Sequence, residues 1–265
     1  MHADAPLDRR LFVAAAAAAA PAALAGSGPP ATTAAPADPG PRPKVIFLDV
    51  NETLLNLDPL VASVGEALGG RPELVPLWFS SLLHHSLVAT VGDRYEDFGV
   101  IGAATLRMLA ANHGIDLSEK QAARALAPIR SLPPHPDVEP ALKQLTEAGY
   151  QLVTLTNSSA AGVKAQMENS GLQRYLSARL SVETVGLFKP HAHVYRWAAR
   201  QVGESVEDCL LVAAHGWDVA GAAWAGMRTC FLSRPGKQLY PLAPPPTLQA
   251  ADLLEAARTL VALPR

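Results

Sequence analysis

Two patterns of apolar and polar positions divide the chain. Val45 to Leu48 is an unbroken apolar run, VIFL, that leads straight into Asp49. Bulky and β-branched residues without alternation predict a strand buried on both faces. Over residues 56–135 strand-like runs become scarce, and segments such as LVPLWFSSLLHHSLVATV and IGAATLRMLAANHGI carry apolar residues at helical spacing. That stretch reads as a helical insertion. From residue 136 the pattern changes to alternation: strands in QLVTLTN, SARLSV, CLLVAAH and RTCFLSR are separated by helices in EPALKQLTEAG, AAGVKAQMENSG, HAHVYRWAARQVG and DVAGAAWAG. AADLLEAARTLVAL closes the chain as a surface helix, and Gly149, Gly171 and Gly203 fall where helices end. The predicted fold class is α/β, a parallel sheet built from 44–55 and 136–265 and wound with helices, with 56–135 as a helical cap.

The amino terminus does not belong to this pattern. Paired Arg9 and Arg10, an alanine-rich run and the small-residue site Ala23-Leu24-Ala25 resemble a twin-arginine export signal over residues 1–25. The apolar run is too short to span a bilayer, so no membrane anchor is expected in the mature form. Residues 26–43 are rich in Pro, Ala and Thr and read as a linker. Export implies a periplasmic or secreted protein; a tail that is not a signal leaves it cytoplasmic.

Composition removes several function classes. The net charge of −2, with both signs dispersed, lacks the basic footprint that nucleic acid or an anionic membrane demands. Only Cys209 and Cys230 are present, too few for a disulfide scaffold or a cysteine-built metal site. Both lie in predicted strands and read as buried thiols, with a disulfide open to them if those strands are neighbours and the chain is exported.

Ligands of open parallel sheets bind beyond the carboxyl ends of the strands. Here the first strand ends in Asp49 and Asn51. QLVTLTN ends in Thr156, Asn157 and Ser158, and CLLVAAH ends in His215, followed by Asp218. Lys189 lies in the loop after SARLSV. Polar groups collected at one sheet edge predict a site for a small molecule. Thr156, Asn157 and Asp218 also have the residue types of helix caps, so a capping duty competes with the functional one.

DVNETLL, TLTNS, FKPHAHVY and HGWDVAGA resemble the four ordered motifs of the haloacid dehalogenase superfamily, and the last two resemble its type II L-2-haloacid dehalogenase branch. The resemblance implies a Rossmann-like core with a four-helix cap and a small-molecule substrate. It further implies that Asp49 is a nucleophile forming an ester that water then opens, with Lys189 as its cationic partner. Relatives of this type are often homodimers. In the superfamily's phosphatases the position of Asn51 holds a second aspartate that protonates the leaving oxygen, and the position of Ala214 holds a further carboxylate for magnesium. An amide and a methyl group supply neither, so no metal and no cofactor is expected. A leaving halide needs neither proton nor metal. A magnesium-dependent phosphatase and a catalytically idle binding protein are the alternatives.

Departures from the type II pattern set further expectations. Phe79 stands where the resemblance implies a substrate-binding arginine, and Ala213 and His215 stand for a serine and an asparagine. His215, as a neutral imidazole near Asp218, is expected to take the proton of the hydrolytic water. Asn51, Phe79, Phe98, Tyr195 and Trp217 are expected to bind substrate as pocket walls.

Overall fold

The computed structural model describes residues 40–264. The export signal and most of the linker expected before Lys44 lie outside them.

Six parallel strands form one sheet: β1 (Val45–Leu48), β2 (Gln151–Thr156), β3 (Ala178–Ser181), β4 (Cys209–Ala213), β5 (Arg228–Leu232) and β6 (Leu248–Ala250), in the order β3-β2-β1-β4-β5-β6. With β2 and β4 on either side, β1 is central, and all four of its residues are fully buried. That position explains its unbroken apolar run. The edge strand β6 was not expected. Its three residues follow a proline-rich stretch and only Ala250 is buried, so it offers no period to read.

Four helices follow β1: α1 (Asp58–Ala67), α2 (Val75–Val91), α3 (Phe98–Asn112) and α4 (Glu119–Leu126). The chain enters and leaves this insertion at one place. Leu55 bridges Pro134 antiparallel, Asn56 N–H donates to Pro133 O at 2.8 Å, and His135 N–H donates to Leu54 O at 2.9 Å. Helix α3 starts under Asp97, whose carboxylate accepts from Gly99 and Val100 N–H, and α4 starts on a capping box of Ser118 and Gln121. Pro72–Val91 is long and apolar enough by composition to cross a membrane. Val75, Trp78, Leu82, Ser86 and Thr90 are nevertheless a buried stripe at helical spacing, and α2 packs on α3.

The remaining helices, α5 (Val138–Glu147), α6 (Ala160–Asn169), α7 (Ala192–Gln201), α8 (Gly216–Trp224) and α9 (Leu253–Val261), fall on the expected segments. Gly149, Gly171 and Gly203 adopt φ of 82°, 71° and 76° at the ends of α5, α6 and α7, values that only glycine takes without strain. The thiols of Cys209 and Cys230 are free and buried. Although β4 and β5 are neighbours, Cys230 stands opposite Val212. The offset of three residues from Cys209, about 10 Å along the strand, is beyond disulfide reach.

Candidate active site

The site begins where β1 ends. Asp49 N–H donates to Val212 O at 3.0 Å, which carries the sheet ladder one residue further and fixes the carboxylate at the strand's carboxyl end. Lys189 Nζ meets Asp49 Oδ1 at 2.8 Å, Asp218 Oδ2 at 2.6 Å and Leu155 O at 2.9 Å. All three donors of a buried ammonium are thereby used. Thr53 Oγ donates to Asp49 Oδ2 at 2.6 Å and accepts from Ala214 N–H at 2.9 Å, tying the first motif to the end of β4.

The Lys189 loop is held from both sides. Phe188 N–H donates to Thr90 Oγ of α2 at 3.0 Å, and the Phe188 ring packs between Tyr95 and Phe98 with centroids 5.3 and 5.8 Å away. Lys189 N–H donates to Asn157 Oδ1 at 3.0 Å, leaving the amide's NH2 end for a ligand. Gly221 of α8 lies against Pro190. A Cβ there would stand 2.3 Å from Pro190 Cβ and 2.8 Å from the Tyr195 hydroxyl, so close approach of helix to loop requires glycine.

Charges in this space regulate one another. Burial pushes the Asp49 carboxyl up, but Lys189 and His215 outweigh it and hold the group well below the usual carboxylate range. Burial disfavours the Lys189 ammonium, and the charges of Asp218 and Asp49 more than restore it. Asp218 goes the other way: burial, helped by the neighbouring charge of Asp49, raises it against the pull of Lys189. One ammonium thus serves two carboxylates, and Asp49 is the one kept firmly ionised.

His215 departs from expectation. It does not face Asp218; Nδ1 lies 3.3 Å from Asp49 Oδ2 and Nε2 lies 2.7 Å from Glu52 Oε2. Two carboxylates require two N–H donors, which only the imidazolium has. Burial lowers the pKa of the ring, but the bonds to Asp49 and Glu52 prevail and push it up to about 9. In the resting site His215 is therefore a cation and not a neutral base. Its ring lies between Phe79 of α2, at 6.1 Å, and Trp217, at 5.3 Å, nearly parallel to both.

Other expected residues take different places. Helix α6 is capped by Ser159, whose hydroxyl accepts from Gly162 N–H, so Thr156 and Asn157 do not cap it. Asp218 does not cap α8 either; the N-cap of that helix is His215, which makes no side-chain capping bond. Tyr195, expected on the pocket wall, is fully buried and donates to Asp218 Oδ1 at 2.6 Å. It positions the carboxylate from beneath. Phe98 packs on Phe188 and borders a cavity of about 520 Å³ between α3, α4 and α6. Asn51 lies beside that cavity: its amide donates to Ser158 Oγ at 3.4 Å and accepts from Gln166 at 2.8 Å, and Ser158 and Gln166 both line it.

Sequence reasoning missed Glu52 and Lys237, which pair at 2.5 Å. Glu52 was visible as an acid three residues after Asp49. At φ 61° it occupies the left-handed region that a residue with a Cβ enters only at a cost. Burial raises its pKa, and His215 and Lys237 more than reverse that. Among the described residues no group of three or more His, Cys, Asp or Glu is placed to hold a metal ion.

A parallel sheet with an aspartate at the end of its first strand, paired with a lysine from a later loop and covered by inserted helices, is an architecture found in Rossmann-like hydrolases. The profile of the haloacid dehalogenase-like hydrolases matches residues 43–226, and the chain belongs to that family. It is 28% identical over 211 residues to an (S)-2-haloacid dehalogenase of Pseudomonas sp. (strain YL), spanning 79% of this chain and 91% of that enzyme. It is 27% identical over 194 residues to haloacetate dehalogenase H-2 of Moraxella sp. (strain B), spanning 73% and 87%. The structure of L-2-haloacid dehalogenase from Xanthobacter autotrophicus superimposes with a TM-score of 0.78 at 22% identity, covering 83% of this chain and 99% of that one, and shares its fold.

Proposed function

We propose that the protein displaces halide from a small 2-halo acid through Asp49. The carboxylate attacks the carbon that bears the halogen; the new C–O bond forms as the C–halogen bond breaks, and the bonding pair leaves with the halide. Water then cleaves the aspartyl ester. The observation that carries this reading is the Lys189 bridge, which keeps Asp49 ionised in a dry setting and aimed from the strand end. The Asn157 amide and the Thr156 hydroxyl, at the carboxyl end of β2 next to β1, are the donors this reading assigns to the departing anion. Kinship with enzymes named for 2-halo acids and for haloacetate supports the substrate class.

The substrate's carboxylate meets an altered clamp. Phe79 has no charge to offer, whereas the His215 imidazolium beneath it does. Small haloacetates, which need the least from the cap, are accordingly the first substrates to try. In metal-free buffer with EDTA, bromoacetate should yield bromide, and the peptide containing Asp49 should gain the mass of a carboxymethyl group during turnover. Bromide release that requires magnesium, or magnesium-dependent hydrolysis of a generic phosphate ester without any halide release, would overturn the reading.

The Arg9-Arg10 pair and the Ala23-Leu24-Ala25 site support export to the periplasm. Sequencing the mature amino terminus tests this, with cleavage near Ala25 expected and retention of Met1 counting against it.

A further inference from the structure

The cavity of about 520 Å³ between α3, α4 and α6 is larger than a haloacetate needs, and its charges are unspent. Arg107 of α3 and Arg130, in the short turn Ala127–Ser131 that leads out of the cap, both line it. Neither guanidinium has an ion-pair or hydrogen-bond partner among the described residues. Asp97 and Glu119 line the cavity as well. Asp97 spends its carboxylate on Gly99 and Val100 N–H at the start of α3, and Glu119 sits in the first turn of α4, where the helix dipole favours an anion. With Asp97 committed, two guanidiniums face one carboxylate, and the balance favours an anionic ligand.

Strand order puts this cavity and His215 on opposite sides of the nucleophile. β2 and β4 flank β1; Ser158, which follows β2, lines the cavity, and His215 follows β4. By register Asp49 stands level with Leu155, whose carbonyl shares the Lys189 ammonium with it. Ser158 is therefore one strand over and three residues on, within about 11 Å, given about 4.8 Å between strands and about 3.3 Å per residue. Asn51 covers the interval. Its Nδ2 reaches Ser158 Oγ only at 3.4 Å, a bond long enough to yield to a ligand, while its Oδ1 is held by Gln166 at 2.8 Å. On the cap side Phe98, in the cavity wall, packs on Phe188, the neighbour of Lys189. A substrate carbon at Asp49 is thus placed to send one arm to His215 and the other past Asn51 to the guanidiniums.

We propose that the preferred substrates of this enzyme are 2-halo dicarboxylic acids, with Arg107 and Arg130 binding the second carboxylate in the cavity between cap and core. The inference rests on the aspartyl-ester reading and extends it to the choice of substrate. A chain of roughly four to six carbons, met by the long side chain of an arginine, covers the interval from Asp49. The near carboxylate faces the His215 imidazolium, the carbon bearing the halogen faces Asp49, and the far carboxylate meets forked donors that match its two oxygens. The uncharged Phe79 then takes nothing essential away, because the anchoring charge has moved from the reacting end of the substrate to its far end. The chemistry is the same displacement. The C–O bond to C2 forms as the C–halogen bond breaks, the pair leaves with the halide, and water returns the ester as a 2-hydroxy dicarboxylate and a proton.

Chloride release from 2-chloroglutarate and from 2-chloropentanoate, each corrected for the rate without enzyme, compares one chain length with and without the far carboxylate. Bromoacetate serves as the reference for the displacement itself. Wild type should favour 2-chloroglutarate in kcat/KM by about tenfold, through KM, and high salt should shrink that ratio. Arg107→Gln and Arg130→Gln should each cut the ratio by about threefold, and Glu119→Gln, which removes the opposing charge, should raise it. All three side chains are exposed at the rim of the cavity, so these variants keep the fold. A wild-type ratio of one or less, or a ratio that neither arginine variant moves, overturns the dicarboxylate assignment, while turnover of bromoacetate leaves the Asp49 reading standing. Absence of halide from all three compounds removes that reading and this one with it.

Discussion

Phe79 of the inserted helices and the His215 imidazole lie face to face, with centroids 6.1 Å apart and planes at 24°. A cation against a ring face gains about 0.5–2 kcal/mol depending on its desolvation. Phe79→Arg removes that face and brings a second cation beside the first. The His215 pKa is therefore expected to fall below about 9, measured by NMR titration of the ring. A titration that does not move would place the two rings out of contact.

The same imidazolium makes stability depend on pH. Its pKa is raised from an ordinary 6.5 to about 9, so its contribution is fully present below pH 6.5 and is lost as pH rises through 9. The difference corresponds to about 3 kcal/mol as an upper figure. Chemical unfolding of wild type should show stability declining across that window, and His215→Ala should flatten the decline. A wild-type profile that is flat or rising there would contradict the doubly bonded ring.

Lys189 is 1% exposed and is the shared counter-ion of Asp49 and Asp218. Lys189→Met leaves two buried carboxylates facing each other without it. Loss of about 3–5 kcal/mol of stability and of ester formation is expected, with the stability cost relieved as pH falls and the carboxylates protonate. Urea unfolding at several pH values checks this; a cost independent of pH would mean packing alone is lost.

Gly221→Ala would ordinarily favour a helix. Here the added carbon meets Pro190 and the Tyr195 hydroxyl at 2.3 and 2.8 Å. Overpacking of this kind costs about 1–3 kcal/mol, and the displaced loop is the one that carries Lys189. A lower Tm together with a slower halide burst is expected. An unchanged or higher Tm would show that α8 and the loop do not approach as closely.

Much of this site could be read from local pattern. The buried run of β1 points to Asp49 because a central strand of a parallel sheet ends at the ligand edge, and Lys189 and Asp218 follow from the same topology. What was not legible lies in contacts between loops. Glu52 and His215 are 163 residues apart and each sits where no period operates, so nothing local announces their bond. The spacing of His215 and Asp218 suggested a pair, but α8 begins at Gly216 and turns Asp218 inward onto Lys189 and Tyr195. With its partner misassigned, His215 was expected neutral where the structure makes it a cation. β6 escaped for a simpler reason, being three residues long at an edge.

The central claim is that Asp49 bonds to carbon and is regenerated by water at its own carboxyl. Single turnover in heavy-oxygen water, with enzyme in excess over bromoacetate, tests it most directly. Heavy oxygen should appear in the Asp49 side chain, while the glycolate formed carries the unlabelled oxygen that Asp49 supplied. Label found in the glycolate and absent from Asp49 would mean that water attacks the substrate directly, and the account would fail.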